Sequence, residues 1–365
     1  MRTLLLLHVF PSFARGGQQM RLAAISAKGG ERFRHRVVSL DGDLSARSAF
    51  APDAATFEAF AVRKSKWLSI ANLAAFRRLI RESKADILCT YNFGAIEAAI
   101  ANRFGSEIAH IHYEDGFGPD ETIERQKRRR ILARRFALQK SFVVAPSRGL
   151  ERAAREVWRL NPDRVRYIPN GVDFRRFGAL RRDRAEGAPI VVGAVGALRP
   201  EKNFERLVSA FSAAGAADAR LTIYGDGPER SALAALAAAT SDRVLLPGAT
   251  AAPARAYADF DIFALSSDTE QAPLTVLEAM ASGLPVVAPN IGDIAGMVSE
   301  ENRAFLTPPG DEAALAAAIK RLVSDPALRR RLGEANATRA REAFALEPAI
   351  AAHEALFLEA ARERA

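Results

Sequence analysis

Residues 266–292 read SSDTEQAPLTVLEAMASGLPVVAPNIG, and the fold class follows from how this stretch alternates. Just before it, Asp261, Ile262, Phe263, Ala264 and Leu265 make a short apolar run that closes on Ser266, Ser267 and Asp268. That is the pattern of a buried parallel strand ending in a polar loop. Leu274, Leu277, Glu278 and Ala281 then fall at i, i+3, i+4 and i+7, a helical spacing that Gly283 and Pro285 stop. Residues 284–288 are the next apolar strand. In sheets built this way, ligands sit at the carboxyl ends of strands, beside helix N-termini whose free N–H groups favour phosphate. Glu270 lies in the loop and Glu278 one turn into the helix. Two carboxylates beside an anion site make sense if they read hydroxyls, because a carboxylate accepts both hydrogen bonds of a vicinal diol such as a ribose or a hexose.

Working outward, the same alternation recurs along the chain and predicts an α/β architecture of two doubly wound, Rossmann-like domains facing across a cleft. With 365 residues, 49% hydrophobic and 26% charged, the chain can fill the cores of about two domains. No apolar run reaches the roughly 18 residues of a membrane span. The apolar segment 4–10 follows Arg2 but runs into Pro11 and Gly16-Gly17, so it reads as a first buried strand rather than a signal peptide. The single cysteine, Cys89, lies in an apolar strand pattern, excludes an intrachain disulfide framework and fits a reducing cytoplasm. Charge is uneven: residues 1–180 carry a net +14 and the remainder −5, within a total of +9. A basic N-terminal half attracts an anionic partner such as acidic lipid, a lipid-phosphate-linked acceptor or nucleic acid. Two stretches concentrate the positive charge. Residues 62–84 place Trp67, Ile70, Leu73, Phe76 and Ile80 at helical spacing, and residues 124–140 place eight basic residues around Ile131, Leu132, Phe136 and Leu138. Each reads either as a docked helix with a solvated face or as a surface for anionic lipid.

Several motifs now carry a resemblance. Glu270 and Glu278, with seven residues between them and the match continued through LEAMASGLPVV, resemble the E-x7-E motif of retaining GT-B glycosyltransferases of family 4. The resemblance implies that Glu270 contacts donor sugar hydroxyls and Glu278 the nucleotide ribose. Between them the family often has Gly-Phe-Gly-Leu and this chain has Gln271-Ala272-Pro273-Leu274. Pro273 has no N–H, so phosphate contact falls to the Leu274 and Thr275 amides. Residues 196–203, GALRPEKN, resemble the family's G-R-L-x-x-x-K-N loop, with Gly196 and Lys202 in place, Ala197 where the family has Arg, and Arg199 as the candidate to compensate. Gly225 opens a GDGP turn, residues 168–173 spell IPNGVD, and Gly16-Gly17 follows the first strand, resembling the family's first loop near donor phosphate and acceptor. Standing alone, that Gly-Gly is an ordinary tight turn.

The strand 108–112 ends in YEDGFGPDE, residues 113–121. By resemblance His112 sits close to the donor sugar, with His110 on the same strand face as its rival. Asp115 either orients the acceptor hydroxyl, acts as its base, or simply helps cap the next helix. Asp259-Phe260-Asp261 spells D-x-D, but at a helix-to-strand junction where structural use is the better reading, and no metal is expected. The resemblance further implies an acceptor-binding domain over residues 1–173, a linker over 174–188, a nucleotide-sugar domain over 189–344, and a final helix over 345–365 that packs back on the first domain. Its expected reaction moves a sugar from a nucleotide diphosphate sugar, UDP- or GDP-linked, to a glycan or lipid-linked acceptor on the inner face of a membrane, with no bound cofactor and no nucleic acid. Two alternatives stand beside it. One is an epimerase or hydrolase of the same fold. The other is a non-catalytic basic protein binding membrane or nucleic acid, to which Ala197 gives some footing.

Overall fold

The computed structural model describes residues 2–62, 68–117, 121–178 and 187–363, leaving Trp67, residues 118–120 and most of the expected linker outside the described residues. The chain divides into two units, Met1–Asn170 with Glu347–Ala365, and Gly171–Leu346. The boundary falls inside IPNGVD. Just beyond it, Val172 forms an isolated parallel bridge with Ala345.

The first unit is built on seven strands, β1 (Leu4–Phe10), β2 (Phe33–Ser39), β3 (Ala55–Ala59), β4 (Ile87–Tyr91), β5 (Ala109–Tyr113), β6 (Phe142–Ala145) and β7 (Val165–Tyr167). Their order is β3-β2-β1-β4-β5-β6-β7 and every pairing is parallel. The order reverses between β1 and β4, the doubly wound arrangement that parallel strands with helical crossovers adopt. Leu7, Val9 and Leu88 pack there against Phe76 and Ile80 of the helix Ile70–Ser83.

That helix starts later than the periodicity suggests. Ser69 caps it by accepting the Asn72 amide, and Ile70, expected in the buried stripe, is 84% exposed. Ile70 is the first helical residue, ahead of the turn that reaches the sheet; the buried face comprises Phe76, Leu79 and Ile80. The basic stretch 124–140 likewise forms only the helix Arg128–Leu138. Arg134 is not on its surface: it is buried, 2.9 Å from the Glu114 carboxylate, with its guanidinium over the Trp158 ring.

The helix Leu346–Arg362 completes this unit. It buries Ile350, His353, Leu356 and Phe357, sets the Phe357 ring edge-on to Phe33 at 5.4 Å, and ion-pairs Glu354 with Arg32 and Glu359 with Arg166.

The second unit has six parallel strands, β8 (Ile190–Val195), β9 (Ala219–Tyr224), β10 (Val244–Gly248), β11 (Ile262–Ala264), β12 (Val286–Pro289) and β13 (Leu306–Thr307), in the order β10-β9-β8-β11-β12-β13. One face packs on Phe204, Leu207, Phe211 and Ile319, the other on Tyr257, Val276, Leu277 and Met280. The helix after the GDGP turn runs Arg230–Thr240, so Pro228 stands ahead of it. The preceding Gly227 sits at φ 157°, and the Glu229 amide is drawn to the Leu198 carbonyl at 3.0 Å, so the chain turns once more before the helix begins.

Replacing Phe357 by Ala should remove about 3–5 kcal/mol from the stability of the first unit, as for other fully buried aromatics. Urea denaturation followed by tryptophan fluorescence checks this, and a loss below about 1 kcal/mol would mean the helix adds little to that core.

Candidate functional site

In the second unit the strand order reverses between β8 and β11, so the loops leaving their carboxyl ends, residues 196–203 and 265–273, diverge from one point. Backbone and side-chain bonds stitch them together. The Asp268 amide donates to the Glu201 carbonyl at 2.9 Å, and Ser266 Oγ donates to the Lys202 carbonyl at 3.0 Å. Arg206 reaches both the Ser266 carbonyl at 3.0 Å and the Asp268 carboxylate at 2.7 Å. Asn203 adopts a left-handed conformation at φ 45° and caps the helix Phe204–Ala213 through its side chain. Few residues other than Asn and Asp serve both roles.

This stitching brings Lys202 and Glu270 into contact. Lys202 Nζ lies 2.5 Å from Glu270 Oε1, and Ser267 Oγ donates to the same oxygen at 2.8 Å. Both side chains retain some exposure, 25% and 10%. Gly225 and Gly196 also meet: a Cβ on Gly225 would lie 1.9 Å from the Gly196 carbonyl oxygen, so this glycine lets two loops touch. Arg199 is exposed, its bonds to Ala197 and Lys202 are made by the backbone, and its guanidinium has no hydrogen bond or ion pair among the described residues.

The helix Leu274–Ala281 begins directly after Pro273, with no side-chain cap. The Leu274 and Thr275 amides precede any carbonyl able to receive them within the helix. One turn on, Glu278 Oε2 accepts from the Tyr257 hydroxyl at 2.8 Å. Burial pushes the Glu278 carboxyl up to about 7, although the Tyr257 hydrogen bond and the Arg176 charge work in the opposite direction. Tyr257, fully buried and 21 residues upstream, is a partner that sequence reading missed, because nothing in the local pattern separates it from an ordinary core aromatic.

In the first unit the expected residues gather differently. Gly16 precedes, and Gly17 begins, the helix Gly17–Lys28, which presents Gln18 and Arg21. Arg21 grips Asp115 at both oxygens, 2.5 and 2.8 Å, donates to Asn170 at 3.0 Å, and lies over the Tyr113 ring. Gln18 adds a third donor to Asp115 at 2.8 Å. Burial alone would lower the Arg21 pKa, but the Asp115 carboxylate outweighs it and the net shift is upward. With its oxygens committed to Arg21 and Gln18, Asp115 is built as an anchor for this loop rather than as a free base. His112 lies inside the unit. It is fully buried, with Nδ1 2.8 Å from Thr90 Oγ1 and Nε2 3.3 Å from Glu114, so both ring nitrogens are engaged inside the unit. His110 shares the same Thr90 oxygen and touches Ser141. The two-residue ambiguity therefore places both imidazoles in one internal network, joined through Thr90, 20 and 22 residues away, which the strand pattern does not reveal.

Among the described residues no group of His, Cys, Asp and Glu side chains is placed to hold a metal ion, and no helix is long and apolar enough to cross a membrane. Comparison with known proteins bears on the family and the fold. The sequence model described as Glycosyltransferase Family 4 matches residues 15–176, and that described as Glycosyl transferases group 1 matches residues 189–325. The chain belongs to glycosyltransferase family 4. A GDP-mannose-dependent alpha-mannosyltransferase of Mycolicibacterium smegmatis is 38% identical over 178 residues, 47% of this chain and 45% of its own length. A 2-deoxystreptamine glucosyltransferase of Streptomyces kanamyceticus is 27% identical over 292 residues, 72% of this chain and 74% of its own. The chain spans about half the length of the curated mannosyltransferases it matches. In structure it is similar to HepE of Anabaena, crystallised with UDP and glucose, at a TM-score of 0.80 and 18% identity, over 98% of this chain and 100% of that one. At that identity the likeness speaks for the fold, two Rossmann-like domains.

Because Glu278 binds its proton more tightly folded than unfolded, its contribution to stability falls as pH rises from about 4.5 to about 7. Glu278→Gln removes that contribution, so its stability relative to the parent should climb across this window, by up to about 1 kcal/mol per pH unit. Thermal melts at pH 5, 6, 7 and 8 check it; a pH-independent difference would show that Glu278 titrates normally.

Proposed function

We propose that this family 4 member is a retaining glycosyltransferase that moves a sugar from a nucleoside diphosphate sugar to an acceptor hydroxyl. The observation that carries the reading is the contact of Lys202 with Glu270 where the β8 and β11 loops diverge. An ammonium and a carboxylate there suit the two halves of such a donor. Lys202, with Arg199 standing in for the Arg that Ala197 replaces, faces the diphosphate. The second oxygen of Glu270 accepts from sugar hydroxyls. The Leu274 and Thr275 amides add donors for phosphate at a helix start, and Glu278, held by Tyr257, accepts from the ribose diol.

The reaction proceeds without an enzymic nucleophile. The bond between the anomeric carbon and the departing phosphate oxygen breaks, the acceptor oxygen bonds to that carbon on the same face, and its proton passes to the departing phosphate. Cationic groups stabilise the charge that develops on the diphosphate. The relative named for GDP-mannose and the neighbour crystallised with UDP and glucose make GDP- and UDP-sugars the donors to test first. The net +14 of residues 1–180 favours a glycan or lipid-linked acceptor presented at an anionic surface, in polysaccharide or envelope glycan assembly, with the enzyme peripheral to the cytoplasmic side of the membrane.

Thermal-shift screening with UDP-, GDP- and ADP-sugars should single out one nucleotide, and product analysis with and without acceptor should give transfer rather than epimerisation or hydrolysis. Failure of every nucleotide to bind would remove the donor site. Lys202→Ala should weaken nucleoside diphosphate binding by about 10- to 100-fold by calorimetry, and unchanged affinity would exclude Lys202 from the diphosphate. Glu270→Ala should lower turnover by at least about 100-fold without changing the melting temperature; near-normal turnover would take Glu270 out of the site.

A further inference from the structure

On the first unit, three large apolar side chains stand in solvent close to one another. Leu132 is 62% exposed, Phe136 lies one helical turn on at 48%, and Phe104 is 50% exposed with its ring stacked 5.3 Å from that of Phe136. Isolated exposed apolar residues are ordinary, but a contiguous aromatic and aliphatic patch marks a contact surface. The patch is held in place: Arg103 lies over both rings and donates to the Phe136 carbonyl. Its border is cationic. Arg128, Arg129 and Arg135 are exposed on the same helix face, residues 128–138 contain no acidic side chain, and Glu107 is the single carboxylate in the segment 102–107 that carries Phe104. Beside Phe104, Gly105 opens on a hollow of about 780 Å³ lined by Arg2, Arg77, Arg81 and Lys84, with Asp86 already paired to Arg2.

We propose that this patch is where the chain docks on an anionic bilayer, Leu132, Phe136 and Phe104 entering the interface while the surrounding guanidinium groups and the basic hollow take lipid phosphates. The occupant follows from charge and shape. A second copy meeting this face about a two-fold axis would set Arg128, Arg129 and Arg135 against their own images, a like-charge contact. Single-stranded nucleic acid stacks on planar rings and has no use for an exposed Leu132. A bilayer supplies both hydrocarbon for the apolar centre and phosphates for the rim. The docking face deepens the reading of the first unit as working at a lipid surface, and it is independent of the donor site on the second unit.

Flotation of the full chain with vesicles tests it. The parent should float with phosphatidylcholine vesicles containing phosphatidylglycerol, and not with phosphatidylcholine alone. The double variant Leu132→Ser, Phe136→Ser should lose at least about tenfold in partitioning while keeping the parent's melting temperature and nucleotide affinity. Phe104→Ser, in a different element, should lose part of it and guards against a folding defect in the double variant. Arg128→Gln with Arg129→Gln should weaken flotation and flatten its salt dependence. Equal flotation of the apolar variants overturns the proposal. So does sedimentation showing a dimer that the double variant dissolves, or retention on single-stranded DNA without vesicle binding. Because nucleotide affinity is read in the same samples, loss of the docking face and loss of the donor site are separate outcomes.

Discussion

An ammonium held 2.5 Å from a carboxylate ties together the two loops that leave the reversal point of the second sheet. Lys202 and Glu270 come from opposite sides of that reversal, and their contact acts with the Asp268-to-Glu201 backbone bond and the Ser266 and Arg206 bonds to keep the loops from splaying. Part-exposed pairs of this kind add little to stability, commonly under about 1 kcal/mol. Its weight lies in orientation: each charge keeps the other from wandering, so a ligand meets both in place. A ligand that excludes water from the pair would strengthen it further, because the same separation is worth more at lower dielectric.

The sequence made the local parts of this arrangement readable. Alternating strand and helix patterns, the spacing of Glu270 and Glu278 and the helix start after Pro273 are all decided within a few residues of chain. What stayed hidden depends on partners far away. Nothing near Glu278 announces Tyr257, and nothing near Asp115 announces Arg21, 94 positions earlier. The same distance effect moved His112 and Arg134 inward: a strand ending in a polar loop and a run of cations both look like surface until the elements packed on them are known. Ile70 went the other way, since helical spacing says which residues share a face but not where the helix begins to touch the sheet.

Buried polar groups form a second theme of the first unit. Thr90 Oγ1 bridges His110 and His112, and Glu114 joins His112 to Arg134, so the carboxyl end of β5 is an internal polar chain rather than an apolar plug. Burial, helped by the neighbouring His112, holds His110 at about 3, which keeps it neutral. Glu114 stays ionised because Arg134 and His112 overcome the effect of burial. A network of this kind tolerates few alternative arrangements, and it underlies the loop in which Arg21 clamps Asp115.

The helix Leu346–Arg362 belongs to the unit formed by the first 170 residues, while everything between closes on itself as a contiguous piece. During synthesis the intervening piece can therefore finish folding on its own. The first sheet emerges earliest yet must wait for Phe357 and its neighbours before the ground beside Phe33 is covered. For much of translation it exposes an unfilled apolar seam, so a sheet made before the second is finished after it, and chaperone engagement on the ribosome should concentrate there.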